Sequence, residues 1–263
     1  MKKSNLKKSL RQIGQLSKSR NKKPKIIIIG TGNGNDLKSL TLESYWKIMK
    51  AKEIYCRIDF EPIIQKLKEK KKEVISLTSF YKRYDSFDKT YKNMARFLIK
   101  EAREKGEILY LVPGHPFVCE YPTELVIKMA EQSGIEIQVL SNLSFLDSLF
   151  VDARFEPGLG MQFTAASELF KEKIYKSFSP DLVNVIACLS NKLQPGRKMT
   201  VYDKFIEFLR NKFYHDQKIS IVYQDPYSFR QEVILTKVGE IKKYKQVLTT
   251  CRATCVIFPK KRP

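Results

Sequence analysis

Four consecutive isoleucines, Ile26–Ile29, make Lys25–Gly30 read as a strand that runs straight into a glycine-rich loop, Gly30-Thr31-Gly32-Asn33-Gly34-Asn35. An unbroken apolar run of this kind is the signature of a strand buried on both faces, as in parallel sheets covered by helices. Glu107–Val112 repeats the arrangement and ends in Pro113-Gly114-His115-Pro116. Between the two, the pattern alternates. A helix starts near Thr41 as N-cap and buries Tyr45, Ile48 and Met49. Glu53–Arg57 reads as the second strand, followed by a helix over residues 60–72 and a strand at Glu73–Leu77. A longer helix over 86–104 places Tyr91, Met94, Phe97, Leu98 and Ala102 at helical spacing. Strands alternating with helices predict an α/β fold whose sheet is mostly parallel, with right-handed crossovers.

Past residue 120 the rhythm changes. A helix over 122–133, a strand at Glu136–Leu140 and a short helix over 144–151 lead into an irregular region. Asp181–Leu189 is again strand-like, a helix covers about 200–213, and Ile219–Tyr223, Glu232–Thr236 and Ala253–Phe258 are strands separated by turns. That run predicts a second, α+β domain with a mixed sheet. The expected organisation is a basic arm over residues 1–24, an N-terminal α/β domain over 25–119 and a C-terminal α+β domain over 120–263. No apolar run approaches the ~18 residues of a membrane-spanning helix.

The chain of 263 residues carries 49 Lys+Arg against 28 Asp+Glu, a net charge of +21. Residues 1–25 hold ten of the basic side chains and no acid, so the remainder still carries an excess of eleven. A basic surface either favours polyanionic partners such as nucleic acid or anionic lipid or is simply a solvated, solubilising surface; contact with RNA or a ribonucleoprotein would run through the basic arm. In the arm, Leu6, Leu10, Ile13 and Leu16 form one apolar stripe if helical. Such a segment suits RNA docking, a membrane surface, an organelle transit peptide or a disordered tail. Five cysteines without a signal peptide predict reduced thiols in an intracellular compartment: cytoplasmic, or organellar if the arm is a transit peptide. Cys251 and Cys255 stand four apart and no histidine pair completes a zinc site, so no metal is expected.

Three features can carry chemistry. Glycines at the end of a buried strand let the backbone turn sharply and approach a ligand, at the edge where open α/β sheets bind. The pattern is neither Gly-x-Gly-x-x-Gly nor a P-loop, since Asn35 holds the last position and no Lys-Ser/Thr follows. It suits a nucleotide-type ligand or a tight turn. The second loop, stiffened by Pro113 and Pro116, sits at the same sheet edge. Its His115 is either a turn residue or a polar contact to a ligand. His215, beside Asp216, is expected at the surface. The third feature is the aromatic cluster Phe80-Tyr81…Tyr84…Phe87…Tyr91. Its phenols, Tyr81 and Tyr91 above all, either orient or deprotonate a substrate group or simply pack.

Together these residues amount to a resemblance. Gly30-Thr31-Gly32-Asn33-Gly34-Asn35-Asp36, followed by Leu40-Thr41 and a helix, resembles the opening of the tetrapyrrole methylase family. Val112-Pro113-Gly114-His115-Pro116-Phe117-Val118 resembles that family's second loop. Its His variant, followed by Cys119-Glu120, is most similar to the YabN-like domain at the N-terminus of some MazG proteins. Ser144-Phe145-Leu146-Asp147, Phe155–Gln162 and Cys255–Pro259 are similar to that subgroup as well.

The resemblance implies an S-adenosylmethionine-dependent methyltransferase, a homodimer of two-domain chains with the cofactor in the cleft between the domains. By motif, the cofactor would touch Gly30, Gly32, Gly34, Gly114, His115, Pro116 and Val118, the Leu143-Ser144 turn, and the strand end Ala187-Cys188-Leu189. The acceptor is a small molecule or a peptide. Borosin-type methyltransferases, which methylate peptide backbone amides, share a pattern that reads here Phe80-Tyr81…Thr90-Tyr91-Lys92-Asn93-Met94…Gly114-His115-Pro116. Phe87 stands where that branch carries arginine, and Phe117 where it carries glycine. Ser141-Asn142 replaces the family's usual Pro-Gly, and His115 its usual aspartate. A non-catalytic basic module binding RNA is the alternative of a different class.

Overall fold

The computed structural model describes residues 23–32, 36–171, 174–189, 201–224, 231–250 and 252–260. Gly34, Cys251 and residues 1–22 of the basic arm lie outside the described residues. Two compact units divide the chain. The first runs up to Arg83 and from Asp88 to Leu143; the second takes Tyr84–Phe87 and everything from Ser144 on.

The first unit contains β1 (Lys25–Gly30), α1 (Leu42–Lys50), β2 (Glu53–Cys56), α2 (Pro62–Glu69), β3 (Glu73–Ser76) and α3 (Phe80–Arg83). It continues with α4 (Phe87–Lys105), β4 (Glu107–Val112), α5 (Tyr121–Gln132) and β5 (Glu136–Leu140). The five strands form one sheet in the order β3-β2-β4-β1-β5, parallel at every pairing. The isoleucine run is therefore central, flanked by β4 and β5, with Ile26–Ile29 at most 1% exposed. Burying each of those side chains contributes about 1.5–3 kcal/mol. Side chains alternate across the sheet. Ile27, Ile29, Ile54, Cys56, Leu109 and Leu111 face Ile48 of α1 and Ile63, Ile64 and Leu67 of α2. The alternate residues, Tyr55 and Tyr110 among them, turn to the other face, where the Tyr55 ring meets Phe97 of α4 at 5.9 Å.

Thr41 caps α1 as its sequence predicts, accepting from the Ser44 N–H. The β1, β4 and β5 bounds equal those read from the sequence. The expected boundary after residue 119 differs from the observed division at Leu143/Ser144. The reason is register: β5 pairs with β1, so α5 and β5 complete the first sheet.

The second unit holds α6 (Phe145–Asp152), β6 (Met161–Ala165), α7 (Ala166–Leu169), β7 (Val183–Ala187), α8 (Val201–Lys212), β8 (Lys218–Gln224), β9 (Gln231–Lys237), α9 (Lys245–Thr250) and β10 (Arg252–Ile257). Its sheet runs β6-β7-β10-β8-β9. β6 and β7 are parallel, and the other pairings are antiparallel, the mixed sheet the sequence predicts. β6 is a correction, because the stretch before residue 181 reads as irregular in the sequence. Phe205 and Leu209 of α8 pack with Ile186, Ile219, Ile221 and Cys255 on one face of this sheet. Val185, Val222 and Val256 pack with Leu149 and Phe155 on the other. Among the described residues, no helix is long and apolar enough to cross a membrane.

Candidate functional site

The strand order of the first sheet reverses between β1 and β4. From β1 the chain crosses to β2; from β4 it crosses the opposite way to β5. Open α/β sheets bind ligands at the carboxyl end of such a switch point. Both loops singled out in the sequence leave from there, and they interlock. Thr31 N–H donates to the Val112 carbonyl at 2.8 Å and Gly32 N–H to the Gly114 carbonyl at 3.1 Å. A Cβ on Gly30 would overlap the Gly114 carbonyl oxygen and lie 2.9 Å from Pro116 Cδ. Gly114 is different: its φ is +66°, and a Cβ there would meet nothing within 4 Å. That is an open cradle beside backbone, suited to close approach of a ligand.

His115 holds the second loop in shape. Its Nδ1 accepts from the Phe117 N–H at 3.1 Å, and its carbonyl accepts from the Val118 N–H at 3.1 Å. Pro116 is buried, Val118 half-buried and Phe117 exposed. Asn142, two residues past the end of β5, ties the site together. Its amide donates to the Gly30 carbonyl at 2.6 Å, and its Oδ1 accepts from the Thr41 N–H at 2.6 Å. The residue that departs from the family's Pro-Gly thus brackets the end of β1 to the start of α1. Asn142→Ala should destabilise the protein by about 1–3 kcal/mol for each backbone group left unpaired. Urea unfolding would read this, and an unchanged midpoint would show the bracket to be dispensable.

Beneath the loops lies a polar network that sequence reading missed. Thr31 Oγ1 accepts from the Gly114 N–H at 3.2 Å and donates to Glu61 Oε2 at 2.8 Å. Glu120 lies close enough to Glu61 for the two charges to repel. Arg57 Nε sits 2.7 Å from Glu120 Oε1, though off the axis a hydrogen bond needs. Arg57 Nη1 donates to Tyr81 Oη. The Tyr81 and Tyr91 rings meet edge to face at 6.1 Å, and Tyr91 meets the exposed Tyr121 at 6.4 Å. Glu61, Arg57, Glu120 and Tyr81 are all at most 9% exposed. Tyr110 Oη, on β4 beside the pair, is buried without a hydrogen-bond partner.

Burial dominates the electrostatics. It pushes the Glu120 carboxyl up to about 7, with Arg57 opposing and Glu61 adding to the rise. Burial works against the Arg57 charge, but Glu120 and the nearby phenols hold it protonated more firmly than usual. Burial also raises Tyr81, with Arg57 opposing. Tyr91 is raised further by burial and by Tyr81, and Tyr110 well above its ordinary value by burial. Both candidate phenols are therefore neutral hydrogen-bonding groups at pH 7.

The structure brings Gly30, Gly32, Gly114 and Pro116 into contact, and joins Tyr81 to Tyr91. Phe87 begins α4, and the guanidinium against Tyr81 comes instead from Arg57. Leu143 is exposed at the end of the first unit. In the second unit, Ser144 caps α6 through a capping box with Asp147. Ala187 is buried at the end of β7, and exposed Cys188 takes a left-handed φ of 56°. Leu189 is buried and donates its N–H to the Ala253 carbonyl at 3.4 Å.

A signal for the missed acids exists in the sequence. Glu61 and Glu120 each occupy the N-cap of a helix with proline in its first turn, yet neither carboxylate caps. Ser, Thr, Asp and Asn are the ordinary N-caps; glutamates there are held for other contacts.

Comparison with known proteins agrees with this geometry. The chain is 31% identical over 150 residues to the uncharacterized protein YabN of Bacillus subtilis, covering 57% of this chain and 30% of that one. It is 26% identical over 177 residues to the methyltransferase/ribosomally synthesized cyclic peptide dendrothelin A precursor of Dendrothele bispora, covering 66% and 42%. The chain thus spans less than half the length of either relative. A uroporphyrin-III C-methyl transferase from Thermus thermophilus, solved with S-adenyl homocysteine, shares the fold at a TM-score of 0.60 and 16% identity, over 89% of this chain and 92% of that one. The model of the family described as Tetrapyrrole (Corrin/Porphyrin) Methylases matches residues 25–242. The chain belongs to the tetrapyrrole methylase family.

Proposed function

We propose that this protein is an S-adenosylmethionine-dependent methyltransferase whose cofactor lies against Gly30, Gly32, Gly114, His115, Pro116 and Val118. The observation that carries the reading is the interlock of two glycine loops at the strand-order reversal, with open space where a Gly114 Cβ would stand. Bound there, S-adenosylmethionine supplies an already activated sulfonium methyl. The protein's task is then chiefly alignment, which holding both reactants in one geometry can supply. Gly30 and Gly114 keep the loops in register, and Asn142 fixes their base. Leu143, Ser144, Ala187, Cys188 and Leu189 are proposed as further cofactor contacts on the strength of the family motifs, and a homodimer on the same ground.

Tyr81 and Tyr91 are proposed as the phenols that meet the acceptor, orienting it through hydrogen bonds rather than acting as bases, since burial keeps both protonated. A peptide acceptor is the favoured class, supported by the similarity to the dendrothelin A precursor over two thirds of this chain. Calorimetry of the full chain with S-adenosylhomocysteine tests the core of the reading. Binding is expected below about 1 mM, the upper end of ordinary enzyme affinities; no heat at millimolar ligand would overturn it.

A further inference from the structure

We propose that Arg57 is a positioning residue of this site, locked by Glu120 and acting on the Tyr81 hydroxyl, with Glu120 governing how much guanidinium charge that phenol feels. The purpose of the device rests on the methyl-transfer reading; its test does not.

Three observations carry it. First, one guanidinium serves two partners, Nε against Glu120 and Nη1 on the Tyr81 oxygen. Second, the arrangement is poorly explained by stability. A buried ion pair is often no better than apolar residues of the same volume, and here the pair meets off-axis with both facing atoms lacking hydrogen-bond geometry. Glu120 also forgoes the capping role its position offers. A local rule broken without structural gain marks a functional position. Third, Tyr81 carries the guanidinium on its oxygen, and it sits at the inner end of a row of rings that reaches the surface at Tyr121.

The groups that face one another come from every packed element. Arg57 follows β2, Glu61 precedes α2, Tyr81 lies on α3, Tyr91 on α4, Tyr110 on β4, and Glu120 precedes α5. When Glu120 is ionised it offsets Arg57, and Tyr81 stays a neutral phenol. When Glu120 takes up a proton, the guanidinium charge acts on Tyr81 unopposed and polarises its hydroxyl more strongly. The acceptor would then meet a stronger hydrogen-bond donor at the end of the ring row.

Opposite substitutions must therefore move Tyr81 in opposite directions. The full chain labelled with 3-fluorotyrosine would be titrated by fluorine NMR, with the Tyr81 resonance identified by its loss in Tyr81→Phe. Glu120→Gln should lower the Tyr81 midpoint by about one pH unit, and Arg57→Met should raise it by about one or more, as expected for a charge within a few ångströms. Should Arg57→Met fail to fold, the double variant Arg57→Met/Glu120→Leu leaves no buried unpaired charge and should still titrate above the wild type. A packing role predicts no such opposition; midpoints that move the same way, or not at all, overturn the proposal. Calorimetry with S-adenosylhomocysteine on the same samples separates the two readings. Wild type that fails to bind overturns the methyltransferase reading alone, while binding with an unmoved Tyr81 overturns the positioning role alone.

Discussion

Gly30→Ala should weaken S-adenosylhomocysteine binding by about 100-fold, or about 2.7 kcal/mol, and destabilise the fold as well. The added Cβ would overlap the Gly114 carbonyl, which is backbone, and crowd the ring of Pro116. Neither can turn aside as a flexible side chain would, so β1 and the second loop must separate. Overpacking of this kind costs about 1–3 kcal/mol, sometimes more, and here it breaks the register that forms the proposed cradle. Gly114→Ala is the informative comparison. Its Cβ meets nothing, so the folded chain bears only the cost of a left-handed φ, about 1–2 kcal/mol. The methyl would nevertheless project into the space assigned to the cofactor. Affinity should then fall more than stability does. Thermal unfolding beside calorimetry would separate the two effects, and unchanged affinity in both variants would remove the loops from the site.

Much of the first unit was legible because its central strands are buried on both faces. A strand such as Ile26–Ile29 needs no partner to be identified, and β1 and β4 carry that signal plainly. β6 carries no such signal. Met161–Ala165 is mostly half-buried and, among the described residues, is an edge strand paired with β7 alone; nothing in its composition separates it from the loop before it. The domain boundary was hidden for a related reason. Whether β5 closes the first sheet or opens the second depends on pairing with β1, more than a hundred residues away, and no local pattern encodes that.

The same logic divides the site. The two loops were legible because glycine and proline announce backbone geometry in the sequence itself. The network beneath them was not. Arg57 reads as the end of a strand and Glu120 as one more residue after a loop. They meet because β2 and β4 are neighbours in the sheet, although β3 and three helices intervene in the chain. The phenols lie between these cases: sequence places Tyr81 and Tyr91 as candidates, and only the fold supplies the guanidinium that distinguishes one from the other.

That guanidinium leads to the second large effect. Arg57→Met should destabilise the protein by about 3–5 kcal/mol, the usual cost of leaving one member of a buried pair uncompensated. Its dependence on pH identifies the cause. Glu120 titrates at about 7 in the fold against an ordinary 4.5, so the folded state holds the proton more tightly than the unfolded chain. Its stabilising contribution is fully present below about pH 4.5 and is lost as pH rises through about 7, where the wild-type curve levels off. Without Arg57 the opposing influence is gone and the folded midpoint climbs higher. The variant should therefore keep losing stability above pH 7, and its deficit should be larger at pH 9 than at pH 6. Glu120→Leu should show the reverse trend. It leaves Arg57 charged at every accessible pH but removes the carboxyl, so its deficit should shrink between about pH 4.5 and 7. The double variant Arg57→Met/Glu120→Leu should return to within about 1–2 kcal/mol of the wild type, because no charge is left stranded. Denaturant unfolding across this pH range decides the matter: two single variants with flat and equal deficits would show that only packing volume was lost, and that the ion pair does not govern the electrostatics beneath the loops.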